Sequence, residues 1–185
     1  LRPLVVEEGS PRQVRLRLGR TIDGYSCEIQ SGCTVNGREA FTTNARANLS
    51  LLPMQLPPAA DLATMRDRCP AVERAPEGGS LVSPQEAHLN FGPRWRVLKS
   101  TALGDGEGIA DLELPEAFRD EPEAGWRLHP ALLDLATGWA MGLIEGYVPD
   151  DLWVPVSYRS ILVHRALPAK VVSLVRSRGR NSMDR

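Results

Sequence analysis

Alternating apolar and polar residues dominate the first fifty positions of this chain. Val14, Leu16 and Leu18 alternate with two arginines, which is the pattern of a strand with one buried face. Two further alternating runs lie at residues 25–30 and 39–49, and turn-forming residues separate the runs. The pattern therefore predicts an antiparallel meander, with an apolar and a polar face.

The pattern changes after residue 50. Residues 51–80 contain several prolines and glycines and no persistent amphipathic period, which predicts a linker lying over the surface. Regular elements return in residues 81–185. Ser83 and Pro84, followed by Glu86, form a helix-start signal. Strand-like runs follow at residues 94–100, 101–114 (with a turn at 104–106), 152–167 and 171–176.

The strongest helix signal lies at about residues 130–145, in the stretch WRLHPALLDLATGWAMG. Proline suits the first helical position because its missing N–H would be unpaired there, so Pro130 begins the helix and His129 is its N-cap. Apolar residues occur on nearly every face, which predicts a helix buried all round.

These elements predict an α+β fold. A single apolar helix wrapped by a curved antiparallel sheet is the hot-dog arrangement, and residues 81–185 fit it. Residues 1–50 offer a second sheet without a matching helix. We therefore expect a double hot dog in which residues 1–50 are the remainder of the first unit, with its central helix upstream. The strand-like runs near both ends indicate a segment of a larger polypeptide.

Bulk composition excludes several function classes. The formal net charge is −1, from 22 basic and 23 acidic residues, which gives no support to nucleic-acid or membrane-surface binding. No apolar run is long enough to span a bilayer. The 3 cysteines and 3 histidines show no disulfide framework and no metal-ligand spacing. We expect a cytoplasmic protein with reduced thiols and no bound metal.

Asp134 is the carboxylate inside the apolar helix, and two roles are open for it. Loss of hydration disfavours the charged form of a carboxylic acid, so a protonated Asp134 would suit general acid catalysis. Gly138, four residues later, would leave room beside it. Equally, Asp134 could accept backbone hydrogen bonds and do no chemistry. His129 could likewise be only a cap or a buried histidine that positions the helix.

Four stretches, in order, resemble the dehydratase domains of modular polyketide synthases. HPALLD, at residues 129–134, resembles the aspartate motif of the second hot dog. NFGPRW, at 90–95, resembles the family's Tyr-Gly-Pro-x-Phe segment. VPVSY through ILVH, at 154–164, resembles its Leu-Pro-Phe-Ser-Trp…Val-x-Leu-His strand, and the opening LRPLVV resembles the strand after the first helix.

The resemblance implies loss of water from a 3-hydroxyacyl thioester to give the 2-enoyl thioester. The chain would need no cofactor of its own, since the substrate is carried on the phosphopantetheine arm of an acyl carrier protein. Neighbouring synthase domains and a second copy of the chain are the other expected partners. Asp134 matches the aspartate that protonates the departing hydroxyl. Substrate-binding residues are expected at Phe91, Gly92, Pro93, His129, Gly138 and Pro155.

Three departures keep other functions open. The family's motif for the histidine base, His-x-x-x-Gly-x-x-x-x-Pro, is absent, because Val97 stands where the proline after His88 and Gly92 belongs. Gly138 stands where the family often has Gln or His to orient the carboxylate, and Phe91 replaces the tyrosine. The alternatives are a non-catalytic scaffold that binds acyl chains or carrier protein, and an isomerase or cyclase using the same acid.

Overall fold

The computed structural model describes residues 2–177, and these divide into two compact units. The first unit comprises the residues up to Leu56 together with Val154–Leu162, and the second comprises Pro57–Trp153 and the residues from Val163 onward. This division differs from the predicted boundaries at residues 50 and 80, which stay predictions. The segment 154–162 belongs to the first unit, although it was predicted to be part of the second.

The first unit contains an antiparallel meander, as the alternating pattern predicts. The strands pair in the order β1-β2-β3. Asn36 and Gly37 connect β2 to β3 with positive φ angles of 51° and 74°, which is the backbone of a tight hairpin turn. The strands are β1 (Val14–Arg20), β2 (Gly24–Val35) and β3 (Arg38–Ser50).

One face of this meander is apolar and exposed. Leu16 pairs with Ile29, and Ile29 with Ala45, so the three side chains lie on the same face. Leu16 is 60% exposed and Ile29 is 40% exposed. The face borders a groove of about 850 Å³ that residues of the segment 154–162 also line.

The second unit is a four-stranded antiparallel sheet with a helix packed on it. The sheet order is β4-β5-β6-β7, and α2 packs on β6 and β7. Short 3₁₀ helices lie at Pro84–Ala87, Pro93–Trp95, Glu116–Phe118 and Met141–Leu143. The other elements are α1 (Leu62–Asp67), β4 (Ala71–Arg74), β5 (Leu98–Leu103), β6 (Glu107–Glu113), α2 (Pro130–Gly138) and β7 (Lys170–Arg176).

The core of the second unit lies between α2 and this sheet. It contains buried side chains of α2, Leu132, Leu135 and the following Trp139, packed against Leu112 and Ala110 of β6. Trp139 is also bonded to β7, because its indole Nε1 donates to Ser173 Oγ at 3.0 Å. Ser173 Oγ in turn donates to the carbonyl of Ala136 at 2.6 Å. The helix is thereby held to the sheet by both packing and hydrogen bonds.

The segment predicted to be a linker, residues 51–80, contains α1 and β4. Val72 of β4 pairs with Ala102 of β5, so this strand forms an edge of the sheet. All four residues of β4 are exposed. A four-residue strand that buries no side chain produces no hydrophobic period, which is why the sequence did not reveal it.

The central helix is shorter than predicted and only partly buried. Helix α2 ends at Gly138, and the apolar residues after it, including Trp139 and Met141, remain buried outside the α-helix. An apolar pattern reports burial, so it continues past the residue where the helical hydrogen bonds end. Thr137 is exposed and Asp134 is half-buried, so the helix is not enclosed on every face.

The predicted strand at residues 152–167 does not form. No strand is present between these residues, and apolar side chains such as Val156, which is 70% exposed, lie on the surface. A strand requires a neighbouring strand for its backbone hydrogen bonds, and an apolar pattern alone cannot supply that neighbour.

The described residues contain neither a membrane-spanning helix nor a metal-binding cluster. Among residues 2–177, no helix has the length and hydropathy needed to cross a bilayer. In the same range, no group of three His, Cys, Asp or Glu side chains is arranged to hold a metal ion.

Candidate active site

Asp134 lies on α2 with one carboxylate oxygen held in place. The indole Nε1 of Trp95 donates a hydrogen bond of 2.7 Å to Oδ2 of Asp134. The other carboxylate oxygen has no hydrogen bond to the described residues. Because the side chain is half-buried at the edge of an apolar core, Asp134 keeps access to the surface while its orientation is constrained.

Trp95 is positioned against α2 by the segment that precedes it. This segment, Phe91 to Pro93, was predicted to bind substrate. Gly92 is the N-cap of the 3₁₀ helix Pro93–Trp95, and Pro93 takes its first position. Phe91 packs against the core, with its ring centroid 6.1 Å from that of Trp95. These residues therefore lie beside the carboxylate, and their predicted contact with substrate stays a prediction.

His129 is the N-cap residue of α2, as predicted, but its side chain does not cap the helix. The imidazole has no exposed area, and its Nε2 lies 2.8 Å from Glu121 Oε2. Its Nδ1 is buried and has no hydrogen-bond partner within residues 2–177. A fully enclosed imidazole cannot touch a bound acyl chain without moving, so this placement supports the helix-positioning role over the substrate-binding one.

Glu121 links His129 to Arg94 at the start of the helix. Arg94 donates to both carboxylate oxygens of Glu121, with the shortest distance 2.7 Å, and its guanidinium lies over the ring of Phe118. The hydrogen bonds from Arg94, and then from His129, lower the pKa of Glu121 from 4.5 to about 2. The carboxylate is therefore charged at neutral pH. It links the segments that carry Arg94, Glu121 and His129.

Gly138 ends α2 one turn after Asp134, and a side chain from another segment occupies the space beside it. A Cβ placed on Gly138 would lie 3.5 Å from Oε1 and 3.6 Å from Nε2 of Gln85. Gln85 belongs to the 3₁₀ helix Pro84–Ala87, whose Ser83 and Glu86 form the capping box that the sequence predicts. The carboxamide of Gln85 thus lies next to the helix face that carries Asp134.

Pro155, the remaining predicted substrate-binding residue, lies in the first unit, whereas Asp134 lies in the second. Pro155 is exposed and belongs to no strand or helix. Its predicted role stays a prediction.

Sequence reasoning did not assign roles to Trp95, Gln85 or Glu121. Trp95 lies inside the NFGPRW segment, but nothing local shows that its indole reaches a carboxylate 39 residues away. Gln85 belongs to a short 3₁₀ helix and Glu121 to a turn, so neither lies in a stretch with an amphipathic period. Their partners follow only from the tertiary fold.

Comparison with known proteins places this geometry in a family. The family described as "Polyketide synthase dehydratase N-terminal domain" matches residues 66–185, a range that includes Asp134, Trp95 and Gln85. The spectinabilin polyketide synthase system protein NorA′ of Streptomyces orinoci is 31% identical over 165 residues. That alignment covers 88% of this chain and 4% of NorA′, so the chain spans only a small part of its relative.

Solved dehydratase structures show the same fold. The dehydratase domain from the CurF module of curacin polyketide synthase is similar with a TM-score of 0.78, over 96% of this chain and 62% of that one, at 19% identity. Two CurK dehydratase structures, both of inactive mutants, match with TM-scores of 0.68 and 0.67, at 21% and 22% identity. They cover 96% and 97% of this chain, and 61% and 63% of their own.

These matches confirm the predicted fold class and the predicted family. The extent of the family match, about two thirds of the chain, includes the aspartate-bearing helix and the segment that holds its carboxylate. The chain belongs to the polyketide synthase dehydratase family.

Proposed function

We propose that this chain catalyses the loss of water from a 3-hydroxyacyl thioester during polyketide biosynthesis, with Asp134 as the general acid. The observation that carries the proposal is the contact of Asp134 with Trp95. It leaves the second carboxylate oxygen without a partner among the described residues, on a helix that is packed firmly against the sheet. An acid of this kind is oriented by the protein and still available to a substrate.

The reaction requires a base for the α-proton and an acid for the departing hydroxyl group. A base removes a proton from the α-carbon of the thioester, and the electron pair left there forms the carbon–carbon double bond. The bond between the β-carbon and the hydroxyl oxygen breaks. The carboxylic acid of Asp134 gives its proton to that oxygen, so water leaves and Asp134 becomes a carboxylate. The indole N–H of Trp95 then stabilises the new negative charge.

The base is proposed to be a histidine outside the printed sequence. His88 Nε2 bonds the carbonyl of Pro149 at 3.0 Å, and the enclosed His129 bonds Glu121 at 2.8 Å. The third histidine, His164, is exposed and lies outside any strand or helix. In the CurK dehydratase, an aspartate-to-asparagine mutant and a histidine-to-phenylalanine mutant are each inactive. This pairing in a protein of the same fold supports an aspartate and a histidine as the two proton-transfer groups here.

The exposed sheet face of the first unit supports the predicted domain organisation. Leu16, Ile29 and Ala45 line an apolar surface that no helix of the described residues covers within this unit. Large exposed apolar patches mark surfaces that another element or partner covers. We propose that the central helix of the first hot dog packs on this face.

The family match also supports proposals about the partners and the location of the chain. We propose that the substrate arrives on the phosphopantetheine arm of an acyl carrier protein, that other synthase domains flank the chain, and that the domain forms a homodimer in the cytoplasm. The relative NorA′ is a polyketide synthase protein of which this chain matches 4%, which supports the multidomain setting.

Replacement of Asp134 by asparagine tests the proposal. Asp134→Asn keeps the size of the side chain and its ability to accept a hydrogen bond from Trp95, but it cannot supply the proton. The matched control is Asp105→Asn, because Asp105 is exposed in the turn between β5 and β6. Product mass after incubation with a 3-hydroxyacyl carrier protein measures the loss of one water.

We expect the full-length protein and its Asp105→Asn variant to dehydrate the substrate and Asp134→Asn to lose nearly all activity. Unchanged activity of Asp134→Asn would exclude Asp134 as the acid. A full-length protein without activity that still binds the acylated carrier would favour the scaffold function, and a shifted double bond or a ring in the product would favour an isomerase or cyclase.

A further inference from the structure

Glu121 binds one residue from each of the two elements that meet at Asp134. Arg94 donates to its carboxylate at 2.7 Å, and His129 Nε2 lies 2.8 Å from it. Arg94 directly precedes Trp95 in the chain, and His129 is the N-cap residue of α2, the helix that carries Asp134. The two elements that hold the Trp95–Asp134 hydrogen bond are therefore joined a second time, by hydrogen bonds that involve neither of these two residues.

The backbone of Glu121 is held on both sides, so its carboxylate has a defined position. Its N–H donates to the carbonyl of Phe118 at 3.2 Å, and its carbonyl accepts from the N–H of Trp126 at 3.2 Å. Arg94 donates to both carboxylate oxygens, and a two-point contact of this kind constrains orientation as well as distance. The guanidinium also lies 4.3 Å from the ring centre of Phe118. The residue next to Trp95 is therefore held in one place.

The His129 side of the network is constrained by burial. The imidazole has no exposed area, so it cannot exchange Glu121 for a water molecule without moving. A charged carboxylate only accepts hydrogen bonds, so the ring proton lies on Nε2 and points at Glu121. An α-helix rises 1.5 Å per residue, which puts Asp134 about 7.5 Å along the axis from the N-cap. Backbone hydrogen bonds join the turns between them, so a shift of the N-cap is passed on to Asp134.

We propose that Glu121 is a positioning residue for the proposed acid. Through its two partners it sets the distance between the indole of Trp95 and the carboxylate of Asp134. This inference rests on the proposed dehydratase function. Asp134 becomes negatively charged when it gives up its proton, and the indole N–H stabilises that charge only when distance and angle are favourable. A small displacement of either element therefore slows the reaction, although Glu121 itself neither gives nor accepts a proton.

Glu121→Gln tests the proposal by steady-state kinetics of the full-length protein. The variant keeps the shape of the side chain, but an amide N–H₂ replaces one of the two accepting oxygens and faces a donor. We expect kcat to fall roughly fivefold to tenfold, and KM to stay within about twofold, because the effect arises in the transition state.

The same substitution in the Trp95→Phe protein separates positioning from general loosening of the fold. In that background the hydrogen bond that Glu121 supports is already absent. We therefore expect Glu121→Gln to lower kcat by less than about twofold there. A residue that acted independently of Trp95 would lower kcat by the same factor in both backgrounds.

Glu107→Gln is the matched control. The carboxylate of Glu107 also binds two arginines, Arg68 at the end of α1 and Arg176 of β7. Its side chain is 13% exposed, against 20% for Glu121. The control therefore removes a similar carboxylate bridge in the same unit, and neither of its partners belongs to the elements that meet at Asp134. It should leave kcat unchanged with and without Trp95→Phe.

Three kinetic results would overturn the proposal. They are an unchanged kcat for Glu121→Gln, an equal loss of kcat in the two backgrounds, and an equal loss for Glu121→Gln and Glu107→Gln. Failure of the dehydratase function has a different signature, namely an unsubstituted full-length protein that produces no enoyl thioester.

Amide hydrogen exchange tests Glu121 without turnover in that case. The N–H of Trp95 donates to the carbonyl of Gly92 at 3.0 Å, and that of Arg96 donates to the carbonyl of Pro93 at 3.3 Å. Mass spectrometry of peptides from the full-length protein should show exchange at residues 95–96 rising roughly threefold or more in Glu121→Gln and not in Glu107→Gln. Equal exchange in all three proteins would overturn the positioning role.

Discussion

Trp95 and Asp134 lie 39 residues apart in the chain, yet the indole N–H of Trp95 donates a 2.7 Å hydrogen bond to the carboxylate of Asp134. The contact joins a 3₁₀ helix to the central helix of the second unit. It gives the proposed acid a fixed orientation, and it places a donor where negative charge would develop.

Trp95→Phe should slow dehydration while preserving the fold. A hydrogen bond to a charged group contributes about 1.5–3 kcal/mol, and its loss as Asp134 becomes a carboxylate would lower kcat roughly tenfold to a hundredfold. Steady-state kinetics of the full-length protein measure the effect. Trp126→Phe is the control, since Trp126 is 53% exposed and should leave kcat unchanged. Equal kcat values for both variants would show that the Trp95 contact does not assist the acid.

Glu121 should make stability fall in acid. Its folded pKa of about 2 lies below its ordinary value of 4.5, so its contribution is present above pH 4.5 and is lost as the pH falls toward 2. Glu121→Gln should reduce the loss of stability over that interval, measured as the urea midpoint against pH. Glu116→Gln, at a side chain that is 79% exposed, should leave the slope unchanged. If the urea midpoint fell equally with decreasing pH in the wild type and in Glu121→Gln, Glu121 would not be the cause of the loss of stability in acid.

Ser173→Ala should loosen the attachment of α2 to β7. The hydroxyl links the indole of Trp139 to the carbonyl of Ala136, so its removal leaves a buried donor and a helix carbonyl unpaired. We expect the free energy of unfolding to fall by about 1–3 kcal/mol. Ser160→Ala, at an exposed position, should change it by less than about 0.5 kcal/mol. Urea titration measures both, and equal values would show that the bridge adds no stability.

Gly108→Ala should destabilise the second unit by overpacking. A Cβ at residue 108 would lie 2.6 Å from the ring of Trp139 and 3.0 Å from Leu103, which is closer than carbon atoms approach. Displacement of these core side chains should cost about 1–3 kcal/mol of unfolding free energy. Gly142→Ala meets nothing within 4 Å and serves as the control. An unchanged unfolding temperature for Gly108→Ala would show that Trp139 and Leu103 can shift without any loss of stability.

Local signals in the sequence predicted the features that depend on near neighbours. Ser83 and Glu86 form the predicted capping box, and Pro130 begins the predicted helix after His129. The alternation around Leu16 predicted a strand that the structure contains. Each of these depends on residues within a few positions, where spacing determines the geometry.

Long-range features could not be read from the same patterns. The strand β4 exists because Ala102 and its neighbours provide a partner, and the run around Val156 stays irregular although its composition suits a strand. The hydrogen bond of Trp95 to Asp134 and the placement of Gln85 beside Gly138 likewise depend on tertiary packing. The catalytic role of Asp134 remains a prediction.

The apolar face of the β1–β3 meander governs how this polypeptide would behave in solution. Val14 is 50% exposed, Leu16 is 60% exposed and Leu18 is 58% exposed. A continuous apolar strip along β1 is therefore exposed to solvent. An exposed apolar strip of this kind binds hydrophobic fluorescent dyes and detergents, and it promotes aggregation at high protein concentration. When no other element or partner covers this strip, we expect low solubility, and not unfolding, to limit biochemical experiments on the chain.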